Sequence, residues 1–143
     1  MSNVDPASEV RAMYKATLQA LSIPVYDAVA PTGAGLTQPY AVIRSVDAIV
    51  VPIRGGIPEY RAIVNIDIQV EFKEYGGSLP VDSISTSILD VLVPSNQKLL
   101  PPITGWLHCL SRFIRTTTST DYLASTQIFV KRLVVEHLLK LNP

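Results

Sequence analysis

The sequence predicts an α+β fold in which two helices pack on one face of a mostly antiparallel sheet. Apolar residues recur at helical spacing in two stretches, one near the N-terminus and one near the middle of the chain. Strand-like stretches lie between and after them and follow one another directly, which is typical of antiparallel hairpins. Because 143 residues suit one domain, we expect residues 1–143 to form a single unit.

The first predicted helix runs from about Pro6 to Leu21. Asp5 can cap its free N–H groups, and a proline suits the first turn of a helix. Pro24 ends the helix, and Val25–Val29 is a short strand candidate. After a loop rich in proline and glycine, Tyr40–Val46 is predicted to form the second strand.

The segment Ala48–Pro58 is apolar but is interrupted by prolines and glycines, so it predicts a protruding loop or an irregular hairpin. It either folds over the core of its own chain or is exposed and docks on another subunit. The second interpretation makes it a subunit interface. The candidate interface residues are Ile49, Val50, Val51, Ile53, Arg54 and Ile57.

The clearest pattern in the sequence is the alternation of apolar and polar residues from Tyr60 to Phe72. It predicts a strand about 40 Å long at about 3.3 Å per residue, which is more than a small domain requires. Asp67, Gln69 and Glu71 share its polar face. That row indicates an ordinary solvated surface or, alternatively, the lining of a pore or a subunit boundary.

The second half of the chain predicts a helix over Ser78–Val93, an extended loop over residues 94–105 and two further strands. The strands are expected at Trp106–Arg115 and Gln127–Leu138. Thr116–Thr120 is predicted to be a solvated connection between them. The last strand is apolar on both sides, as in a strand that is central or covered.

The composition is unusually apolar and neutral for a small monomeric protein. Hydrophobic residues make up 48% of the chain and charged residues 17%, with a formal net charge of zero. This balance argues against non-specific nucleic-acid binding, which requires many basic contacts to phosphate. Residues 1–75 carry six basic and eight acidic groups, and residues 76–143 carry six and four. We therefore hypothesise that oppositely charged halves of neighbouring subunits meet.

Cys109 is the sole cysteine, so neither an intrachain disulfide nor a cysteine-based zinc site is expected, and a reducing compartment is the simplest environment. The N-terminal residues lack the basic and apolar regions of a secretory signal. The apolar runs also fall far short of the about 20 residues that a membrane span needs. We expect a protein that is neither exported through a signal peptide nor anchored in a membrane.

Three residues invite a catalytic interpretation: His108, Cys109 and His137. Neighbouring side chains in a strand point to opposite faces, so His108 is poorly placed to activate the Cys109 thiol. His137 lies on another strand, and the sequence does not fix its distance from either residue. We expect no enzymatic activity, no metal and no cofactor; a small enzyme or ligand-binding domain using these three residues is the competing hypothesis.

Several segments together carry a resemblance to a known family. They are Leu18–Leu21 at the end of the first helix, Val25–Val29, the Pro-Tyr-Ala-Val-Ile strand at residues 39–43, the alternating strand Ile63–Phe72, the helix Ser83–Leu92 and the apolar strand Ile128–Leu138. In this layout the chain resembles the tail terminator, or tail completion, proteins of long-tailed bacteriophages.

The resemblance implies a ring, commonly a hexamer, that caps the tail tube and provides the attachment surface for the head or neck. Its partners would be copies of itself, the tail tube protein and a head or neck connector, and DNA would only pass through the lumen. Such a protein is assembled in the host cytoplasm and lies at the head-proximal end of the tail. By position, Ala48–Pro58 would contact neighbouring subunits, and Asp67, Gln69 and Glu71 would line the lumen or a subunit boundary. A head-to-tail joining or neck subunit of related fold is the alternative.

Overall fold

The computed structural model describes residues 5–27, 40–51, 59–72, 79–95, 99–123 and 126–141. Along these residues the elements are α1 (Ala7–Ala20), β1 (Val25–Asp27), β2 (Tyr40–Val51), β3 (Glu59–Phe72), α2 (Leu79–Leu92), β4 (Trp106–Leu123) and β5 (Thr126–Leu141). The strands form one sheet in the order β1-β2-β3-β5-β4. β1 runs parallel to β2, and every other neighbouring pair is antiparallel. The predicted α+β fold is confirmed.

Helix α1 begins close after Asp5, whose side chain accepts a hydrogen bond from the first turn. The Asp5 carboxylate accepts a hydrogen bond of 2.9 Å from the N–H of Ala7, which stabilises the start of the helix because the first-turn donors have no partner within the helix. Val10, Tyr14 and Leu18 recur every fourth residue and are fully buried. This spacing aligns them on the side of α1 that faces the sheet.

The core lies between the two helices and one face of the sheet. On β3 every second residue from Tyr60 to Ile68 is buried, as the alternating pattern predicts. Each side chain meets its counterparts on the flanking strands; Ile66, for example, pairs with Ile43 of β2 and Leu133 of β5. The other face of the sheet carries no helix among the described residues.

Strands β2, β4 and β5 are all longer than predicted, and β5 runs over Thr126–Leu141. β2 continues to Val51 instead of ending near Val46. The prediction that Thr116–Thr120 forms a solvated connection is wrong, because these residues pair with Phe129–Leu133 and belong to β4. Threonine is β-branched and suits an exposed edge strand, so its polarity does not imply a loop.

Strand β4 contains two register shifts, in which Cys109 and Ile114 are the extra residues. A bulge of this kind places two residues of one strand opposite one residue of its partner. His108 and Ser111 consequently point to the same side of the sheet although three positions separate them. This offset brings together the polar cluster described below.

The turn before β4 depends on Gly105. Its φ of +81° is a conformation that L-residues rarely adopt, and the N–H of Trp106 donates to the carbonyl of Ile103 across the turn, 3.0 Å away. No atom lies within 4 Å of a Cβ added at residue 105, so Gly105→Ala is strained without being crowded. We expect it to lower the free energy of unfolding by about 1 kcal/mol.

Chemical denaturation of the wild type and of Gly105→Ala measures this effect. Thr104→Ala, at the exposed neighbouring position in the same turn, is the control and should leave stability unchanged. Equal stability of Gly105→Ala and the wild type would contradict the assignment.

Candidate functional site

The outer part of the β2–β3 hairpin carries exposed apolar side chains. β1 pairs with Ala41–Ile43 only, so within the described part of the chain no strand pairs with Ser45–Val51 on the side away from β3. Ile49 is 47% exposed and Val50 53% exposed. The interface prediction requires these two residues to be exposed, and they are. Both lie in the part of β2 that pairs with β3.

The remaining interface candidates differ in how much can be said of them. Val51 is half-buried at the end of β2. Ile53, Arg54 and Ile57 lie outside the described residues. The assignment of the whole set to a subunit interface stays a prediction.

A cleft of about 330 Å³ lies between the beginning of α1 and the outer part of β2. Its lining combines apolar side chains with two carboxylates. The lining residues are Pro6, Val46, Ala48, Val50 and Tyr60 together with Asp5 and Asp47. Asp47 has no ion pair with another described residue and is exposed. The cleft therefore combines apolar side chains with acidic residues, and most of its accessible lining is polar.

Asp67 lies on the helix-free face of the sheet and is 2% exposed. Arg132 on β5 donates to both of its carboxylate oxygens, from Nε at 2.6 Å and from Nη2 at 2.9 Å. Arg44 on β2 donates from Nε to Oδ2 at 2.9 Å. Such paired, charge-assisted bonds are what permits a carboxylate to be buried.

The prediction of a solvated polar row is wrong for Asp67 and Gln69. Gln69 is 8% exposed, and its Oε1 accepts a 3.0 Å hydrogen bond from the hydroxyl of Tyr40. Both residues are covered by long side chains of the neighbouring strands, which sequence alternation does not reveal. Glu71 pairs through its backbone with Ile128, and its side chain lies outside the described residues. Their assignment to a lumen or subunit boundary stays a prediction.

A chain of hydrogen bonds connects α1, β4 and β5 inside the fold. The Tyr14 hydroxyl is 2.6 Å from His137 Nε2, and His137 Nδ1 is 2.9 Å from His108 Nε2. Ser111 Oγ lies 2.7 Å from His137 Nδ1 and 2.9 Å from His108 Nε2. His108 Nδ1 is 2.8 Å from the carbonyl oxygen of Pro101. We call these four side chains the histidine cluster.

The hydrogen bonds of both imidazoles can be assigned a donor and an acceptor with both rings neutral. His108 donates from Nδ1 to the Pro101 carbonyl, so its Nε2 accepts; His137 donates from Nδ1, and its Nε2 accepts from Tyr14. Burial lowers the pKa of His137 to about 3, with the neighbouring His108 contributing in the same direction. Burial also lowers the pKa of His108 and raises that of the Tyr14 phenol. The cluster is therefore uncharged at neutral pH.

Comparison with known proteins gives structural matches and no sequence match. One matching chain comes from the structure "Virion of native gene transfer agent (GTA) particle". It superposes with a TM-score of 0.69 and 16% sequence identity over 94% of this chain and 95% of that one. The two chains share a fold. No family model matches the sequence, and no curated protein matches it.

Cys109 is not arranged as a nucleophile. Its Sγ lies 3.6 Å from the carbonyl oxygen of Leu107, and its side chain is on the exposed bulge of β4. Desolvation, and then the charge of Glu59, raise the pKa of the thiol, which keeps it protonated at neutral pH. The proposed pairing of Cys109 with a histidine base finds no support in this geometry.

The histidine cluster is the feature that the sequence reasoning missed. His108 and His137 stand in contact because their strands pair directly, and Ser111 joins them only through the bulge at Cys109. No residue pattern in the sequence predicts such a bulge. In the described part of the chain, no three His, Cys, Asp or Glu side chains are grouped so as to hold a metal ion. None of the described helices is long and apolar enough to cross a membrane.

Proposed function

We propose that this chain is a structural subunit of a phage-type virion. The observation that carries the proposal is the match of nearly the whole chain to a chain of a gene transfer agent virion at a TM-score of 0.69. Since 16% identity relates folds and not roles, the function is inferred from this likeness together with features of the chain itself. The exposed apolar hairpin and the absence of net charge favour association with other protein surfaces.

The specific role that we propose is that of a tail terminator. Copies of the chain form a ring, most simply a hexamer, at the head-proximal end of the tail, where the ring caps the tail tube and provides the attachment surface for the head or neck. The resemblance of the sequence to that family supports this role. A head-to-tail joining or neck subunit is the second candidate, because subunits of related fold serve there as well.

Mass measurement combined with imaging tests the proposal. Native mass spectrometry and negative-stain microscopy of the purified chain should show closed rings, in solution or after addition of tail tubes from the same virion. Rings on the ends of tubes support the terminator role, whereas binding to the head-side connector alone supports the joining role. A chain that stays monomeric at high concentration and binds neither structure would contradict both.

The interface prediction has a separate test in the outer hairpin. Because Ile49 and Val50 are about half exposed, the double change Ile49→Ser with Val50→Ser should hardly alter the stability of the single chain. We expect it to weaken self-association at least about tenfold, since two apolar side chains would no longer be buried between copies. The concentration dependence of the oligomer mass measures the effect.

Leu99→Ser is the matched control, because Leu99 is 71% exposed and belongs to neither strand of the hairpin. It should leave association unchanged. If the hairpin variant assembles as well as the Leu99 variant, the hairpin is not part of the interface.

A further inference from the structure

The geometry points to β4 of a second copy of this chain as the occupant of the cleft between α1 and β2. In that pairing the segment Phe113–Arg115 of one copy lies against the cleft and the exposed edge of β2 in the next copy, and the sheet continues from copy to copy. The inference rests on the proposed ring and names the two surfaces that build it.

The sheet has two different edges, as a ring requires. A ring of identical subunits forms when one surface of each copy binds a different surface of its neighbour. β4 is 18 residues long and pairs with β5 on one side. Within the described residues its other side pairs only through the single bridge of Trp106 to Ile103, and the stretch Ser45–Val51 of β2 at the opposite edge has no strand beside it. Unpaired backbone groups on such edges favour the addition of another strand.

The strand directions are compatible with this pairing. β4 runs antiparallel to β5, β5 to β3 and β3 to β2, so β4 and β2 of one chain point in opposite directions. A neighbouring copy in the same orientation therefore presents its β4 antiparallel to β2. Antiparallel neighbours can exchange a regular ladder of hydrogen bonds.

Apolar side chains occur at matching levels on the two edges. The ladder of paired residues Val46, Val64, Val135 and Phe113 crosses the sheet from β2 to β4. Phe113 is thus on the helix side, level with Val46 of the cleft. It is 39% exposed, and its neighbour Ile114 is 41% exposed. Large apolar side chains at this exposure on an edge strand are typical of an interface.

The charges on the two edges are opposite. Asp5 and Asp47 are among the residues that line the cleft, with the side chain of Asp47 on the helix-free side of β2, whereas the stretch Trp106–Thr120 carries Arg112 and Arg115 and no acidic residue. Asp47 and Arg115 both lie on the helix-free face, and neither has an ion pair with another described residue. Followed across the sheet through its paired residues, Arg115 is level with Ser45, two residues before Asp47. Joined edges would place these two charges as diagonal cross-strand neighbours.

An engineered disulfide tests the pairing directly. Within one chain, β2 and β4 are separated by three strand spacings of about 4.8 Å each, which is beyond the reach of a disulfide. In a Cys109→Ser background, Asp47→Cys with Arg112→Cys should therefore cross-link copies to one another under oxidation. We expect a ladder of covalent oligomers on non-reducing gels, and from either single cysteine no species larger than a dimer.

A charge swap tests the same pairing without covalent chemistry. Asp47→Arg and Arg115→Asp should each weaken association about tenfold, and the double variant should restore most of it. Asp90→Arg and Lys15→Asp make the same charge changes at exposed positions of the helices and should have no effect. Circular dichroism and thermal melting verify that each variant is folded.

The outcomes separate this inference from the proposed function. If the wild type forms rings, but the cysteine pair gives no cross-linked ladder and the charge reversals leave assembly unchanged, the edge pairing is wrong and the ring proposal stands. Weakening by each reversal without restoration in the double variant also overturns the pairing. A wild-type chain that forms no ring, even with tail tubes, overturns both.

Discussion

Lowering the pH from 7 to 4 should destabilise the folded chain by about 3 kcal/mol through His137 alone. Its pKa is about 3 in the folded chain, against an ordinary value of 6.5. Between these two values the unfolded chain binds a proton that the folded chain does not, so acid favours unfolding. Each unit of difference contributes about 1.4 kcal/mol. The stability is fully present above pH 6.5 and is lost as the pH falls towards 3.

His137→Gln isolates this contribution, because glutamine can form hydrogen bonds but does not titrate. The variant is expected to be less stable than the wild type at pH 7, since the cluster is packed around an imidazole. The decisive measurement is the change in unfolding free energy from pH 7 to pH 4 in each protein. That change should be about 3 kcal/mol smaller in the variant.

His108→Gln is the comparison variant at a half-buried site, and it should reduce the pH dependence less than His137→Gln does. Imidazole NMR signals give an independent readout, in which His137 should remain neutral down to about pH 4. Equal pH dependence in the wild type and His137→Gln, or titration of His137 near pH 6.5, would contradict the buried neutral cluster.

Replacing Asp67 with alanine should lower the free energy of unfolding by about 2–4 kcal/mol. The change removes a carboxylate that is 2% exposed and leaves Arg44 and Arg132 without it. The two guanidinium groups would then repel one another across β3. Their partial exposure to water limits the penalty, which is why we expect a smaller loss than the about 3–5 kcal/mol of a fully buried ion pair.

Urea denaturation at pH 7 measures this effect. Asp67→Asn retains the shape and part of the hydrogen bonding and should cost less than Asp67→Ala. Asp90→Ala, on the exposed surface of α2, should cost no more than about 0.5 kcal/mol. If Asp67→Ala were as stable as the wild type, the ion pairs on this face would be energetically unimportant.

The spacing of apolar residues predicted the helices and strands that are buried on one face. The apolar alternation of β3 and the apolar residues at helical spacing in α1 and α2 gave the correct element types, with bounds within a few residues. It failed at Thr116–Thr120, which is polar but belongs to β4 because β5 supplies a continuous pairing partner. Pairing with a strand that is distant in sequence cannot be deduced from local residue composition.

The site was predicted less completely than the fold, for a related reason. Exposure of Ile49 and Val50 was one of two alternatives that the apolar segment, with prolines and glycines nearby, left open. Burial of Asp67 depended on two arginines, 23 positions before it and 65 positions after it. The histidine cluster depended on a bulge that shifts Ser111 to the side of His108. Such long-range contacts and register shifts cannot be deduced from local residue spacing.

The hairpin of β4 and β5 also has a consequence for the order in which the chain folds. Its two strands are separated by residues 124–125 and pair along their whole length, so they can meet after closing a very short loop. β3 must join β5 across all of α2 and β4, a slower, non-local step. We therefore expect the β4–β5 hairpin to form early, with β3 pairing to the other edge of β5 later. During that interval an unfolded or newly made chain is most exposed to aggregation with its neighbours.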